Sequence, residues 1–283
     1  MAQIAKLTGF VGAEVSDVDL RTPPDTTLGG LLCAALAEHQ VLVFRGQFLS
    51  LDQQKAVTEL FGPLMKLPYV APIETDEAVI AVLKEADERN GGVFGGEWHS
   101  DFSFLENPPA GSLLNAIEIP QAGGDTVWAS QSAAYRTLPA HLKEFLNGRR
   151  AIHVGKPYGV KYAPPAKDRA NASIRMSRGD PNADREIAHP AVIAEPSTGE
   201  KALFVNPIYT TRFSDMTEEE SRPFLEQIYK HATRPDFSFR HKWRAGDLLV
   251  WDNRMTLHYA TNDYDGARRL LYRTTFERDA PRE

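Results

Sequence analysis

The sequence predicts a mainly β fold with flanking helices, of the sandwich or jelly-roll kind. Three observations carry that prediction. The runs "GSLLNAIEI", "DTVWAS", "KALFVN", "FSFRHKW", "DLLVWD" and "RRLLYRTTF" are short, rich in β-branched and aromatic residues, and bounded by Gly, Pro, Asn or Asp. Helical periodicity is confined to a few stretches, so strands do not alternate with helices as a βαβ sheet requires. A chain of 283 residues with 42% hydrophobic and 25% charged residues is ordinary globular material, which makes one domain over 1–283 the expectation.

The elements follow in order. "LGGLLCAALAEHQ" spaces Leu28, Leu31, Leu32, Ala35 and Leu36 as one helical face, and "VLVFRG" then reads as a fully buried strand. In "SLDQQKAVTELFGP", Ser50 and Gln53 stand in the capping-box relation, Ala56, Val57, Leu60 and Phe61 form an apolar face, and Gly62-Pro63 stops the helix. A second capping box, Thr217 with Glu220, opens a helix whose inward stripe is Phe224, Leu225, Ile228 and Tyr229, with Pro223 expected to kink or delay it. The stretch 155–185 is polar, rich in Pro and Gly and without periodicity, and such a long loop in a compact domain reads as a lid.

Charge and cysteine content remove several functions. The net charge is −6 and no basic stripe occurs, so nucleic acid is not an expected partner. The single cysteine, Cys33, allows no intrachain disulfide and no cysteine-rich zinc site, and reads as core filler. Neither a signal sequence nor an apolar span is visible, so the expectation is a soluble cytoplasmic protein without membrane contact.

"GGEWHSDFSF" places His99 and Asp101 one residue apart. On a strand, i and i+2 point to the same side, so the two side chains would project together. A chain with eight histidines contains a His-x-Asp by chance with a probability on the order of one half, so the motif needs a third ligand. The two-His, one-carboxylate facial triad of non-haem iron sites is the geometry that would give it meaning. His39, His141 and His231 lie on amphipathic helices or their ends and read as solvated or capping; His153, His189 and His241 read as structural. His258 is different, since it follows a buried strand and the polar turn "DNR" and resumes a short apolar strand. Beyond it, Arg269 and Arg273 share a strand face with Leu271 and Thr275, roughly 13 Å apart by strand rise. Two arginines on a largely apolar strand need anions.

Together "WHSDFSFLENPPAG", "GGDTVWAS", "ALFVN", "HATRPDFSFRHKW", "WDNRMTLHYATNDY" and "RRLLYRTTF" resemble the taurine dioxygenase family of Fe(II)- and 2-oxoglutarate-dependent oxygenases, including its phenoxyalkanoate-degrading members. The resemblance runs over nearly the whole chain, in order. It implies a double-stranded β-helix (jelly roll), Fe(II) held by His99, Asp101 and His258, and 2-oxoglutarate and O2 as co-substrates. Carried over residue by residue, Thr126 and Arg269 would bind the distal carboxylate of 2-oxoglutarate. Arg273 would lie near the co-substrate and the anionic group of the primary substrate. Succinate and CO2 would be released as the substrate is hydroxylated. Oligomers are common in the family, which leaves a homo-oligomer open.

Departures from the family bear on the substrate. Taurine-hydroxylating members carry a His and a Tyr after "FG" and an Asn four residues before the first iron His. Here those positions are Leu67, Val70 and Gly95, which argues against taurine. With Tyr209 and Tyr158 added to the pocket, the expected substrate is a small organic acid with an apolar body. Two alternatives stay open: the same iron chemistry ending in desaturation or cyclisation, and a non-oxygenase jelly roll that binds a metal and an anion or uses Zn(II) hydrolytically. Thr126, Arg269 and Arg273 speak against the hydrolase, and Asp101 speaks against a halogenase.

Overall fold

A computed structural model describes residues 2–89, 92–162 and 173–278. The first half contains β1 (Gln3–Lys6), β2 (Ala13–Ser16), α1 (Thr26–His39), β3 (Val41–Phe44), α2 (Leu51–Glu59), β4 (Ile80–Lys84), β5 (Gly111–Glu118) and β6 (Thr126–Ser130). Next come α3 (Gln131–Thr137), α4 (Ala140–Leu146), β7 (Arg150–His153), β8 (Ile187–Pro190), β9 (Val192–Ala194), β10 (Lys201–Leu203) and β11 (Thr210–Phe213). The chain closes with α5 (Glu218–Ala232), β12 (Ser238–His241), β13 (Leu248–Asp252), β14 (Thr256–Ala260) and β15 (Arg269–Phe276).

A seven-stranded sheet in the order β1-β2-β3-β13-β5-β15-β4 lies against a three-stranded sheet, β12-β6-β14. The strand "LLVWD" shows why both faces of the large sheet are apolar. Leu248 and Val250 point to one side, where they meet α1 and α2 residues such as Leu32, Leu36 and Val57. Leu249 and Trp251 point to the other, where they meet Trp128 and Phe239 of the small sheet. A strand buried on both faces has period-2 geometry but no polar-apolar alternation. Val41 and Val43 of β3 likewise face the small sheet, while Leu42 and Phe44 face the helices. Each such side chain contributes roughly 1.5–3 kcal/mol by leaving water. This arrangement of a double sheet flanked by helices is the expected jelly roll.

The helices are set by their caps. Asp25 accepts from the Leu28 amide to start α1, and Gln40 ends it in the left-handed region at φ 65°. Both expected capping boxes form, Ser50 with Gln53 and Thr217 with Glu220. Pro223 neither ends nor delays α5, which starts at Glu218 and runs through it. The carbonyl that loses its partner there is that of Glu219, an exposed residue of the first turn, so water can replace the missing amide. Phe145, Phe213, Leu225 and Ile228 gather α4, α5 and β11 into a second core beside the jelly roll. Cys33 is partly buried and its thiol donates to the Leu60 carbonyl, the structural role expected of it.

Two expectations are corrected. "KALFVN" forms a strand over three residues only, β10, because Val205 and Asn206 enter a turn closed by Thr210 N donating to the Asn206 carbonyl. The His-x-Asp segment is not a strand either: His99 makes a single antiparallel bridge, and Asp101 to Phe104 form turns with Phe102 at φ 47°.

Candidate active site

That single bridge joins the two histidines. His99 N donates to the His258 carbonyl (3.0 Å) and His258 N to the His99 carbonyl (2.8 Å), so His99 extends the small sheet beside β14. The His258 ring stacks on Trp128 and meets the edge of Trp251. Asp101 reaches the same point from the following turn. The ligand atoms of His99, Asp101 and His258 all lie within 4.8 Å of one another, and all three residues are buried. None of His39, His141, His153, His189, His231 or His241 joins that cluster among the described residues.

Proton placement fits a metal. The Nδ1 of His99 is 2.7 Å from the Glu97 carbonyl, which can only accept, so Nδ1 carries the proton and Nε2 presents a lone pair to the cluster. Burial, with His99 beside it, pushes the His258 imidazole down to about 3, keeping it neutral as a ligand must be. Burial would raise the Asp101 carboxyl, but Arg273 and the two histidines outweigh it and hold Asp101 well below the usual carboxylate range. One Asp101 oxygen, Oδ2, makes no hydrogen bond despite full burial, although Arg273 Nη2 stands 2.8 Å away as an ion-pair partner. Two neutral imidazoles, that of His99 with its Nε2 lone pair turned to the cluster, and an ionised carboxylate facing one another are a donor set for a hard or borderline cation.

The chain anchors Asp101 through a residue that sequence reading passed over as part of a polar turn. Asn253 accepts from the Asp101 amide (2.7 Å) and donates to the Asp101 carbonyl (2.9 Å), while Ser100 Oγ donates to the Asn253 carbonyl (2.6 Å). The signal was a polar triplet between two apolar strands. His153, read as structural, pairs with Ser103 Oγ (2.9 Å), and Asn206 donates to the same hydroxyl while accepting from the Tyr209 amide. The turn of Asp101 is thereby tied to the loop of Tyr209.

Two cavities meet at Phe94, Gly95 and His99. The smaller is lined by Thr126, His258, Arg269 and Arg273, with Leu114 and Trp251. Arg269 is buried there; its Nε donates to the Gly124 carbonyl (2.9 Å) and its Nη2 to Thr126 Oγ1 (3.3 Å). Among the described residues no carboxylate lies within ion-pair distance of it, and burial pushes its guanidinium down from the ordinary arginine value. Gly124, at φ +70°, lets the backbone come this close, since a Cβ there would stand 3.0 Å from Arg269 Cδ. Arg273 is differently employed: it donates to Asp101 Oδ1 (3.1 Å) and to Ser112 Oγ (2.9 Å).

The larger cavity, about 530 Å³, is walled by Val93, Phe94, Phe102, Met176 and Ile208, with Tyr158, Tyr209, Lys156 and Arg178. Burial raises both tyrosine hydroxyls, Tyr158 to about 12, so both stay protonated. Tyr158, Tyr209 and Gly95 stand where the sequence places them. Leu67 and Val70 do not line it: they pack one layer behind, in the cluster of Tyr158 and Tyr209, and Val70 pairs with Met176, which takes the wall position. Arg273 faces the smaller cavity rather than this one, because Asp101 engages it. Of the segment 155–185, residues 163–172 lie outside the described residues; its flanks supply Lys156, Tyr158, Met176 and Arg178 to the wall.

A jelly roll with two histidines and a carboxylate at one point of its inner face, beside a cavity holding an uncompensated arginine, defines the class of non-haem iron oxygenases that use a keto-acid co-substrate. Comparison with known proteins narrows it. The family model described as taurine catabolism dioxygenase TauD, TfdA family matches residues 3–275, and the chain belongs to that family. An alkylsulfatase of Acinetobacter baylyi is 34% identical over 96% of this chain and 84% of its own length. The 2,4-dichlorophenoxyacetate dioxygenase of Cupriavidus pinatubonensis, α-ketoglutarate-dependent, is 33% identical over 95% of each chain. The crystal structure of a taurine dioxygenase from Burkholderia xenovorans superposes with a TM-score of 0.81 at 32% identity, covering 99% of this chain and 92% of that one. The protein is a 2-oxoglutarate-dependent dioxygenase working with Fe(II), 2-oxoglutarate and O2.

Proposed function

We propose that this dioxygenase hydroxylates a small organic anion with an apolar body, using His99, Asp101 and His258 to hold Fe(II). The observation that carries the reading is Arg269, a buried cation without a carboxylate in the cavity that opens beside the cluster. Its planar fork suits the distal carboxylate of 2-oxoglutarate. Thr126 Oγ1 already accepts from Arg269 and from Trp243 Nε1, so its own proton is free to donate to that carboxylate. When bound, iron would supply the chemistry by which O2 is reduced at the expense of 2-oxoglutarate, one oxygen atom going to succinate as CO2 leaves and the other to a substrate C–H bond.

The remaining work belongs to the chain. Arg273 keeps Asp101 deprotonated and fixed in direction. Phe102, Met176 and Ile208 exclude water and accept the apolar body, while the hydroxyls of Tyr158 and Tyr209 offer the polar contacts of the wall. The relatives' names cover alkyl sulfates and phenoxyacetates, which share an anionic end and an apolar body, and this supports the same general shape of substrate here. The described flanks of 155–185 contribute Tyr158 and Met176 to that wall.

The test is anaerobic. Fe(II) followed by 2-oxoglutarate should give the weak visible charge-transfer band of a chelated keto acid in the wild type and none in His99→Ala. Substrates are then scored by succinate release and by a product heavier by one oxygen. A folded, metal-loaded protein without the band would overturn the oxygenase site as drawn.

A further inference from the structure

Lys84 and Arg269 stand directly opposite one another where β4 pairs with β15, so both cations project from the same side of the sheet. Like charges at such a pair repel, and here both side chains are buried. They are answered differently. Lys84 Nζ donates to Asp265 Oδ1 (2.7 Å) and Asn262 Oδ1 (2.8 Å), two residues of the loop between β14 and β15. Arg269 has the Gly124 carbonyl and the Thr126 hydroxyl, and Asp125, whose charge also acts on it, is engaged by Arg240 Nε (2.7 Å). Tyr264, carried by the same loop as Asn262 and Asp265, meets both cations: its buried ring has its centroid 4.7 Å from Lys84 Nζ and 6.0 Å from Arg269 Cζ. A Cβ on Gly124 would stand 3.3 Å from Tyr264 Cδ1 as well as 3.0 Å from Arg269 Cδ, so the bare backbone there lets ring and guanidinium lie side by side. The Trp243 ring is also 6.0 Å from Arg269 Cζ, but among the described residues it meets no second cation.

We infer that Tyr264 is a positioning residue for 2-oxoglutarate: its ring lies against both opposed cations and holds the Arg269 guanidinium where the distal carboxylate meets it. The inference rests on the reading of Arg269 as the anchor of the co-substrate, and adds the residue that keeps the anchor in place. The face of an aromatic ring attracts a cation without neutralising it. A carboxylate in the same position would hold Arg269 more strongly, but would also satisfy the charge that the co-substrate needs. Burial raises the Tyr264 hydroxyl more than Arg269 lowers it, so the ring stays neutral. The loop that carries the ring is tied on two sides, to β4 through Lys84 and to Gly124, whose amide donates to Asp263 Oδ1 (2.8 Å).

Anaerobic titration of the Fe(II)-loaded protein tests this, with the charge-transfer band as signal and 2-oxoglutarate and pyruvate as probes. Pyruvate has the same keto-acid head and no distal carboxylate. Tyr264→Phe keeps the ring, while Tyr264→Leu and Tyr264→Met fill its place with two different apolar shapes, so one poorly folding variant does not decide the matter. Tyr264→Leu and Tyr264→Met should bind 2-oxoglutarate roughly ten-fold more weakly, with Fe(II) and pyruvate affinities unchanged, and Tyr264→Phe should stay within about three-fold of wild type. Undiminished affinity for 2-oxoglutarate in the folded variants without the ring, an equal loss for pyruvate or Fe(II), or a Tyr264→Phe protein as weak as Tyr264→Leu overturns the proposal. Arg269→Gln separates this from the reading beneath it. If Arg269→Gln binds 2-oxoglutarate as wild type does, the role of Arg269 falls and the proposal with it; a loss there and none in Tyr264→Leu refutes Tyr264 alone.

Discussion

At the scale of single residues, the site is built from groups whose charge is settled by neighbours. Among the described residues no carboxylate pairs with Arg269, whereas Arg273 is engaged by Asp101, so Arg269→Gln removes the charge offered to the far end of 2-oxoglutarate. Affinity for 2-oxoglutarate should fall roughly a hundred-fold, read by titrating the charge-transfer band; an unchanged affinity would remove Arg269 from the co-substrate site. Asn253 acts on the metal only through Asp101. Asn253→Ala strands the amide and carbonyl of Asp101 and the carbonyl of Pro109, each buried. Iron binding should weaken at least ten-fold and stability should drop by about 2–4 kcal/mol, measured by metal titration and by denaturant unfolding. The roles of His99, Asp101 and His258 were legible as a family pattern, and Arg269 and Arg273 as charges on an apolar strand. Asn253 was not, because a polar residue between strands looks like any turn until its partners, 152 positions away, are known.

At the scale of elements, what the sequence disclosed was whatever carries local chemistry. Capping boxes and six-residue apolar runs were readable because their signals lie within a few residues. The strands β1, β8 and β9 were not, since stretches of three or four residues cannot display a period and these, unlike the fully buried β3, are not continuous apolar runs. The helix α3 escaped notice for a related reason: "QSAAYRT" is small and buried and lacks an amphipathic contrast. Pro223 misled because the rule against interior proline weakens in the first turns, where the lost partner is solvent-facing. Thr217→Ala should cost α5 about 1 kcal/mol and lower the melting temperature by roughly 2–4 °C, while leaving the 2-oxoglutarate titration unmoved. A change in that titration would show that α5 reaches the site more directly than its cap suggests.

At the scale of the whole molecule, buried and partly buried histidines set the response to acid. His153, His189, His241 and His258 all lie below the ordinary value of 6.5, with burial the leading cause. The unfolded chain protonates them as pH falls through 6.5 and the folded chain does not, so their stabilisation is complete above that value and is lost toward the folded values, about 3 for His258. Each contributes a slope of up to about 1.4 kcal/mol per pH unit. Calorimetric melting of the metal-free protein should therefore fall steadily from pH 7.5 to 5.0, and a flat profile would contradict the burial of these rings. No helix among the described residues is long and apolar enough to cross a membrane.

The bridge between His99 and His258 has a consequence for timing. During synthesis the chain emerges from its N-terminus, and His99 and Asp101 are present long before their partner. The third ligand, the Asn253 clamp and both arginines of β15 arrive only with the last few strands. A nascent chain therefore offers iron at most two of its three ligands and no seat for the co-substrate. Metal loading is then an event that follows completion of the fold, and a chain interrupted before β14 would leave the ribosome with no means of keeping the ion.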